Sequence, residues 1–264
     1  MPVPRVLILR APGTNCDLET AYAFEVAGAR VERLHVNRLL ENPRLVEDFQ
    51  ILCLPGGFSY GDDIAAGRIL GNQIRHHLAE CLQAFRAAGK LILGICNGFQ
   101  ILIKSGILLP IDPQQGAAAT LTWNESGKFE DRWVHVETSG SKSVFFAGIE
   151  SMYLPVAHAE GKFVPRDERV LGSLDAAGQL VLRYRDGAAR RVGAAAGAAP
   201  YPANPNGSVA DVAGVCDSTG RVCGLMPHPE RHIDPTQHPR WTRGPRAAVG
   251  DGLRVFQNAV GYFE

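Results

Sequence analysis

The stretch LILGICNGFQIL, residues 91–102, decides the fold, because it joins a buried strand to a helix through a sharp, glycine-flanked turn. The apolar run 91–95 is typical of a strand covered on both faces, and residues 97–104 have the pattern of a helix. The turn between them reads Gly-Ile-Cys-Asn-Gly, which is the nucleophile-elbow motif G-x-S-x-G with the sulfur of Cys96 in place of the serine oxygen. A strand that passes into a helix in this way predicts an α/β protein.

The same alternation of strands and helices extends away from this stretch. Strands are predicted at 6–9, 31–36, 51–54 and 91–95, and helices at 17–27, 72–88 and 97–104. This order is typical of a mostly parallel, twisted sheet with helices on both faces. In such sheets, ligands bind at the carboxyl ends of the strands.

The second half of the chain has short apolar segments separated by glycine, proline, aspartate and asparagine. These segments predict antiparallel strands that are added to the edge of the sheet or form a small flap. They lie at residues 132–136, 151–156, 169–174, 179–184, 208–215 and 221–226. Residues 186–200 and 234–250 are predicted as loops, and residues 251–261 as a final helix. We expect residues 1–264 to form a single domain.

The composition is that of a globular protein without a net charge. Apolar residues make up 45% and charged residues 20%, and 27 basic side chains balance 27 acidic ones. A neutral chain has no net field to recruit nucleic acid or an anionic membrane, and no apolar run reaches the roughly 18 residues of a membrane span. The start, MPVPRVLILR, lacks the features of a signal peptide, and the six cysteines form no CxxC pair. We therefore expect reduced cysteines and a cytoplasmic protein.

Cys96 is the first candidate catalytic residue. The elbow lifts its side chain out at the top of the sheet, and the adjacent helix N-terminus favours the thiolate form. The same turn aims the backbone N–H of Asn97 at whatever binds the sulfur, which is where an oxyanion donor is needed. The alternative is that Cys96 is one more buried apolar cysteine.

A second pair of candidates lies in Met-Pro-His-Pro-Glu, residues 226–230. The two prolines hold the segment extended, so His228 and Glu230, two positions apart, point to the same side. A carboxylate beside an imidazole fixes its tautomer and stabilises the imidazolium, which is the role of the third group in a catalytic triad. A lone surface histidine is the alternative interpretation.

The segment Pro-Gly-Gly-Phe-Ser-Tyr-Gly-Asp-Asp, residues 55–63, follows another predicted strand. It lacks the Lys-Ser/Thr pair of a P-loop and the glycine spacing of a dinucleotide-binding loop, so as a phosphate motif it is weak. Its backbone N–H groups, in the region of Gly57, are plausible oxyanion donors beside Asn97, because Cys96 ends the neighbouring strand.

No metal site is expected. Cys216, Cys223, His228 and His232 have the spacing C-x6-C-x4-H-x3-H. Zinc fingers have roughly two to four residues between the cysteines and about twelve before the first histidine, so this spacing does not fit. A metal bound to His228 would also occupy the candidate base.

Seven blocks of sequence, in order and spanning nearly the whole chain, carry a resemblance to a known family. The blocks are PGTNCD (12–17), PGGFSYGDD (55–63), GICNGFQIL (94–102), PVAHAEGKF (155–163), NPNGSVADVAGV (204–215), GLMPHPER (224–231) and DGLRVFQNAV (251–260). Together they resemble the class I glutamine amidotransferases, and among these the glutaminase subunits of phosphoribosylformylglycinamidine synthase. The resemblance implies a flavodoxin-like amidotransferase fold and a triad of Cys96, His228 and Glu230.

The resemblance also implies an activity and partners. The chain would hydrolyse L-glutamine to glutamate and ammonia, and would pass the ammonia to a separate synthetase subunit that uses ATP and Mg²⁺. That subunit would convert formylglycinamide ribonucleotide to formylglycinamidine ribonucleotide in de novo purine (IMP) biosynthesis, and a small third subunit often completes the assembly. No cofactor is expected on this chain itself.

Several features leave the function and the partner interface open. His158, in PVAHAEGKF, is a lesser candidate for contact with substrate or for coupling to the partner, and is otherwise an ordinary loop histidine. Ala159 stands where the family usually has glycine, and the segments 186–200 and 234–250 look longer than in the small members. Another cysteine hydrolase on the same elbow and a non-catalytic interaction module remain the alternative classes.

Overall fold

The computed structural model describes residues 3–138, 142–187, 199–243 and 248–264, and these residues form thirteen strands and seven α-helices. The strands are β1 (Arg5–Arg10), β2 (Arg30–His35), β3 (Ile51–Leu54), β4 (Leu91–Ile95), β5 (Ile111–Asp112), β6 (Gly116–Ala117), β7 (Ala119–Thr122), β8 (Glu130–Thr138), β9 (Ser151–His158), β10 (Lys162–Pro165), β11 (Leu182–Arg185), β12 (Val212–Cys216) and β13 (Val222–Leu225). The helices are α1 (Asp17–Val26), α2 (Val36–Glu41), α3 (Arg68–Gln73), α4 (Ala79–Ala87), α5 (Asn97–Ser105), α6 (Glu168–Ala176) and α7 (Leu253–Gly261).

A mixed sheet organises the described part of the chain, with nine strands in the order β2-β1-β3-β4-β13-β12-β11-β8-β9. The five strands from β2 to β13 pair in parallel, and the remaining strands join them in antiparallel pairs. The predicted α/β fold, with a parallel sheet and added antiparallel strands in the second half, is confirmed. Four short strands form two separate antiparallel pairs: the β5–β6 hairpin, and β7 with β10, which are distant in the chain.

The helices cover both faces of the sheet. The connection from β1 to β2 through α1 runs towards one edge of the sheet. The connection from β3 to β4 through α3 and α4 runs towards the other edge. Because such crossovers are right-handed, helices that connect strands in opposite directions lie on opposite faces. On one face α1 packs against α7, where the Phe24 and Phe256 rings meet edge to face at 4.9 Å. On the other face α3 packs against α5.

Two helices differ from the sequence-based prediction. The sequence predicts a strand at residues 169–174, but these residues belong to α6. Leu174 is the only residue of that helix that is buried. The helix begins because the Asp167 side chain accepts a hydrogen bond from the Val170 N–H at 2.9 Å, which is a typical N-cap. A second difference is α2, residues Val36–Glu41, which the sequence analysis did not predict.

The helix predicted at 72–88 starts earlier and is interrupted. It begins at Arg68, includes a π-helical turn at Ile74–Leu78 and continues as α4. Of the two predicted loops, residues 188–198 and 244–247 lie outside the described residues, and the second loop also contains a short 3-10 helix at Pro235–Gln237.

The start of α5 lies directly against the sheet. All residues of β3 and β4 are buried, and α5 follows β4 after a single residue. A Cβ at Gly98 would lie 1.8 Å from the Leu54 carbonyl oxygen, and one at Gly94 would lie 2.6 Å from the Gly98 oxygen. Both positions therefore require glycine, because a helix with any side chain there could not approach β3 and β4 this closely.

We expect Gly98→Ala to lower the free energy of unfolding by about 1–3 kcal/mol or more, because α5 must move away from β3 to accommodate the methyl group. Gly172→Ala in α6 is the matched control, because nothing lies within 4 Å of its Cβ position. That variant should be neutral or gain up to about 1 kcal/mol from helix propensity. Urea unfolding of both variants measures the difference. Equal stability of the two would contradict the close approach.

Candidate active site

Cys96 occupies a strained turn at the carboxyl end of β4. Its backbone has φ 51° and ψ −105°, a conformation that non-glycine residues rarely adopt. The Cys96 N–H donates to the Leu225 carbonyl at 2.8 Å, and its own carbonyl accepts from the Gln100 N–H at 3.1 Å. Strain of this kind persists where the surroundings fix it, and it is common at functional sites. The turn is thus held by β13 on one side and by α5 on the other.

His228 and Glu230 follow β13, the parallel neighbour of β4. The His228 Nδ1 and a Glu230 carboxylate oxygen are 2.6 Å apart, and both side chains are almost completely buried. The His228 backbone N–H donates to the Pro155 carbonyl at 2.9 Å, which fixes the segment against β9. The structure therefore brings together the two residues that the sequence analysis expected on one side of an extended segment.

The surroundings of His228 favour the charged imidazolium. Burial alone would lower its pKa, but the Glu230 carboxylate, with Cys96 and Cys16 close by, raises that pKa well above its ordinary value. At neutral pH the ring therefore holds two protons, and Nδ1 donates to Glu230. This is the pairing that stabilises an imidazolium next to a nucleophile.

A second thiol, that of Cys16, lies close to the imidazole ring of His228. Cys16, His228 and Glu230 each place one donor atom within 4.8 Å of the others, so this trio is the group best arranged to hold a metal ion among the described residues. It differs from the cysteine–histidine spacing weighed in the sequence. Burial raises the pKa of the Cys16 thiol, although His228 opposes that shift.

Arg231 clamps this region to α1. Its Nη2 donates to the Cys16 sulfur at 3.0 Å, and its Nε donates to a Glu19 carboxylate oxygen at 2.9 Å. The sequence analysis did not single out Arg231, Glu19 or Cys16 for a role. The only signal was their presence in the blocks PGTNCD and GLMPHPER or next to them.

The glycine-rich loop after β3 is held against the loop after β1. Phe58 N–H donates to the Gly13 carbonyl at 3.0 Å, and Cys16 N–H donates to the Gly56 carbonyl at 3.2 Å. These bonds do not use the Gly57 N–H. Gly57 has φ 140°, and a Cβ there would lie 2.8 Å from the Asn15 nitrogen, so only glycine fits.

Asn97 links this loop to the elbow. Its Oδ1 accepts from the Ser59 N–H at 3.2 Å, and its Nδ2 donates to an Asp62 carboxylate oxygen at 3.1 Å and to the Gln100 side chain at 2.9 Å. Its backbone N–H belongs to the first turn of α5, where N–H groups have no partner within the helix. The side chain of Asn97 thus connects the loop after β3 to α5, and its backbone N–H is free to bind a ligand.

A cavity of about 250 Å³ opens at Cys96. Gly57, His158 and Ala159 line it together with Cys96, so three parts of the chain that are distant in sequence meet there. Trp123 stands at the cavity with 60% of its surface exposed. The remaining lining residues are Phe58, Gly61, Asp62, Ala66, Gln100, Ala157 and Glu160.

His158 is buried in this cavity as a neutral ring. Its Nδ1 lies 3.1 Å from Asn124 Oδ1, and Asn124 Nδ2 donates to the carbonyls of Lys128 and His158 at 2.9 and 2.8 Å. Asn124 Oδ1 is therefore an acceptor, so the proton of His158 is on Nδ1. Burial, with repulsion from His228, lowers the pKa of His158 to about 3. Its Nε2 lone pair has no hydrogen-bond partner in the part of the chain that the structure describes.

Two carboxylates lie on the same cavity, and the sequence analysis did not assign them a role. Burial, together with the charge of Glu160, raises the pKa of Asp62. Glu160 accepts from the Ala66 N–H at 3.1 Å and lies 3.9 Å from the Lys104 ammonium. Asp62 and Glu160 supply the negative charge that an ammonium group of a ligand would need.

We expect the stability of the protein to fall as the pH is lowered below about 6.5, partly because of His158. The unfolded chain takes up a proton at this histidine near pH 6.5, whereas the folded ring resists protonation until about pH 3. This single group contributes a slope of up to about 1.4 kcal/mol per pH unit in that window.

Unfolding measured at several pH values checks this, with His158→Gln compared against His76→Gln, a change on the exposed π-helical turn. The slope should be shallower in His158→Gln alone. If both variants keep the slope of the parent protein, the buried neutral state of His158 is wrong.

Comparisons with known proteins agree on one family. The model of the CobB/CobQ-like glutamine amidotransferase domain matches residues 3–263. A phosphoribosylformylglycinamidine synthase subunit PurQ of Dehalococcoides mccartyi is 49% identical over 257 residues, which cover 97% of this chain and 96% of that protein. The PurQ subunit of Methanococcus maripaludis is 39% identical over 272 residues, covering 99% of this chain and 98% of that protein.

A solved structure gives the same result. A chain in the structure of PurLQS from Thermotoga maritima is 31% identical, has a TM-score of 0.73 and matches over 100% of both chains. The resemblance found in the sequence is thereby confirmed at the level of the family. The chain belongs to the PurQ family of glutamine amidotransferase subunits.

Proposed function

We propose that this chain hydrolyses L-glutamine to glutamate and ammonia, with Cys96 as the nucleophile and His228 and Glu230 as its partners. The observation that carries the proposal is the meeting of the strained Cys96 elbow with the buried His228–Glu230 hydrogen bond of 2.6 Å, at the carboxyl ends of two adjacent parallel strands. Its membership of the PurQ family supports the same activity.

The charges at the site support a definite sequence of proton transfers. With His228 as imidazolium, the Cys96 thiolate attacks the carboxamide carbon and forms a tetrahedral intermediate. His228 gives its proton to the nitrogen as the C–N bond breaks, so ammonia leaves and a thioester remains. The neutral imidazole then takes a proton from water, which attacks the thioester and releases glutamate. Glu230 holds the ring in place throughout.

The backbone N–H groups of Gly57 and Asn97 are the proposed oxyanion donors. Neither N–H is used by the hydrogen bonds that hold its loop or helix, as described above, and both residues adjoin Cys96. Each such donor is worth roughly 10²–10³ in rate in other acyl-transfer enzymes.

The cavity fits the two ends of glutamine. Asp62 and Glu160 are placed to receive the α-ammonium group, which carries the charge opposite to theirs. The Nε2 lone pair of His158 is buried and has no partner among the described residues, and we propose that it accepts a hydrogen bond from the carboxamide or from the ammonia that is formed. His158 is thus proposed as a substrate contact that does not titrate, because its pKa of about 3 keeps it neutral.

An exposed apolar rim around the cavity supports docking to a synthetase subunit. Phe58, Ile64, Trp123 and Phe129 are 43%, 68%, 60% and 49% exposed, and the Phe58 and Phe129 rings stack at 6.3 Å. Large apolar groups that share one rim in this way are typical of interaction surfaces. The similar chain of Thermotoga maritima was solved as part of PurLQS.

We propose that ammonia passes to such a synthetase, which uses ATP and Mg²⁺ to make formylglycinamidine ribonucleotide for purine biosynthesis. A small third subunit completes the proposed assembly, and this chain itself binds no cofactor in the proposal. We further propose that residues 1–264 act as one domain in the cytoplasm. In the described residues, no helix has the length and apolar character needed to cross a membrane.

We expect a diazoketone analogue of glutamine to label Cys96 rapidly and the other cysteines slowly. Burial raises the pKa of Cys16 and Cys81, and raises that of Cys216 to about 12, so these thiols are protonated and poorly reactive at neutral pH. Peptide mapping after brief treatment measures the labelling. Labelling of Cys16 at the same rate as Cys96 would contradict the assignment of the nucleophile.

We expect Glu230→Gln to lower kcat of the assembled enzyme by about 10²–10⁴, and His228→Ala to lower it further. The carboxylate orients the ring, whereas the imidazole itself transfers the proton. His77→Ala, on the exposed π-helical turn, is the control and should keep the parent rate. Parent-like turnover by Glu230→Gln would rule out the triad.

We expect the isolated chain to be a poor glutaminase that becomes active with its synthetase partner. The loop after β3 contains three glycines, Gly56, Gly57 and Gly61, so a peptide unit there can change its orientation at little cost. Loss of one oxyanion donor costs about 2.7–4 kcal/mol, enough to silence the site. Glutamate release by the chain alone and with synthetase, ribonucleotide and ATP tests this; full activity of the lone chain would refute gating.

A further inference from the structure

A second cavity, of about 470 Å³, lies between α3, α5 and the β5–β6 hairpin, outside the site described above. Arg68 and Arg75 line it together with Lys104, so we call it the basic cavity. Five apolar residues, Ile103, Ile111, Pro113, Ala117 and Ala119, share the remaining wall with Asn72, Asp112, Gly116 and Thr120.

The positive charge of the basic cavity is poorly balanced. Arg68 and Arg75 are exposed and form no ion pair or side-chain hydrogen bond with any residue that the structure describes. The one acidic residue in its wall is Asp112. That carboxylate accepts hydrogen bonds from the backbone N–H groups of Gln114 and Gln115 at 2.7 and 2.8 Å, so it is engaged by its own turn.

Lys104 is the most enclosed of the three cations, with 15% of its side chain exposed. Burial lowers its pKa, and the Glu160 carboxylate, 3.9 Å from the ammonium group, only partly opposes that shift. The ammonium group also bonds to the Ala66 carbonyl. A further anion beside this ammonium group would favour its charged form more strongly.

The cationic surface continues beyond the basic cavity. A neighbouring cavity of about 310 Å³ shares Arg75 and Ile111 with it and adds Arg86. Arg86 lies 3.9 Å from its nearest carboxylate, on Asp217. The π-helical turn Ile74–Leu78, a feature often found at functional sites, carries Arg75 between the two cavities.

From this arrangement we propose that the basic cavity binds a phosphate-bearing small molecule, with Arg68, Arg75 and Lys104 holding the phosphate oxygens. Guanidinium groups suit phosphate because they donate paired N–H groups to its oxygens. The apolar residues of the wall can contact the organic part of the ligand, and Asn72 and Thr120 can hydrogen-bond to it, so the site favours a nucleotide or sugar phosphate over inorganic phosphate.

Lys104 connects the basic cavity to the candidate active site. Lys104 lines the basic cavity, and its ammonium group contacts Ala66 and Glu160. Both of these residues line the cavity at Cys96. Ala66 N–H in turn donates to Glu160 at 3.1 Å. A bound phosphate attracts the ammonium away from Glu160 and leaves that carboxylate freer for the substrate. This coupling rests on the proposed glutaminase function, whereas binding itself does not.

Calorimetry on the full-length chain tests the binding, with AMP, ribose 5-phosphate and inorganic phosphate as separate probes. We expect AMP or ribose 5-phosphate to bind, with an affinity that falls as salt is added and that drops at least tenfold in Arg75→Ala. Arg254→Ala is the matched control, because Arg254 is an exposed arginine on α7, on the opposite face of the sheet. It should bind like the parent.

Three results would overturn the proposal. They are no binding of any probe, equal affinities of Arg75→Ala and Arg254→Ala, and binding of inorganic phosphate as tight as that of both organic phosphates. If the cavity instead receives a segment of a partner protein, none of the probes should bind. The coupling is tested separately, by measuring the KM for glutamine in the assembled enzyme. The probe that binds should lower this KM in the parent protein and leave it unchanged in Lys104→Met. The calorimetric test does not depend on glutaminase activity, so it can confirm or refute phosphate binding even if the proposed function is wrong.

Discussion

The close approach of α5 to β3 is the constraint on which the site depends. Because Gly98 has no side chain, the first turn of α5 lies against the Leu54 carbonyl, and Cys96 is forced into a positive φ at the strand end. The same approach places Asn97 where its side chain reaches the loop that carries Gly57. Cys96, the loop that carries Gly57 and the N-terminus of α5 are thus positioned together by one backbone contact, and any loosening of it would disturb all three.

Two buried histidines near Cys96, His158 and His228, show that the effect of burial on a pKa depends on what surrounds the ring. His228 is paired with the Glu230 carboxylate, so its pKa is raised in spite of burial. The ring of His158 bonds to the amide of Asn124, and burial together with the charge of His228 lowers its pKa to about 3. The protein therefore holds one charged and one neutral imidazole in a single site. The charged ring can give a proton, and the neutral one can only accept a hydrogen bond.

Most of the parallel half of the fold could be predicted from the sequence, because its strands are short apolar runs bounded by glycines and prolines. The segment 169–174 could not, since three apolar residues suit a strand and a helix equally, and the Asp167 cap decides between them only in context. Cys96, His228 and Glu230 could be found because each lies in a distinctive local motif. Glu160 could not, because its partner Ala66 is 94 residues away and no local pattern records that contact.

The backbone of β9 lies at the far edge of the main sheet, yet its last residues reach the site. Pro155 binds the His228 N–H, and Ala157 and His158 line the cavity at Cys96. The candidate catalytic residues thus come from the parallel half, and part of the cavity wall comes from the antiparallel half. A change along β9 can therefore alter the cavity wall without moving the elbow, where Gly94 and Gly98 leave no room for a side chain.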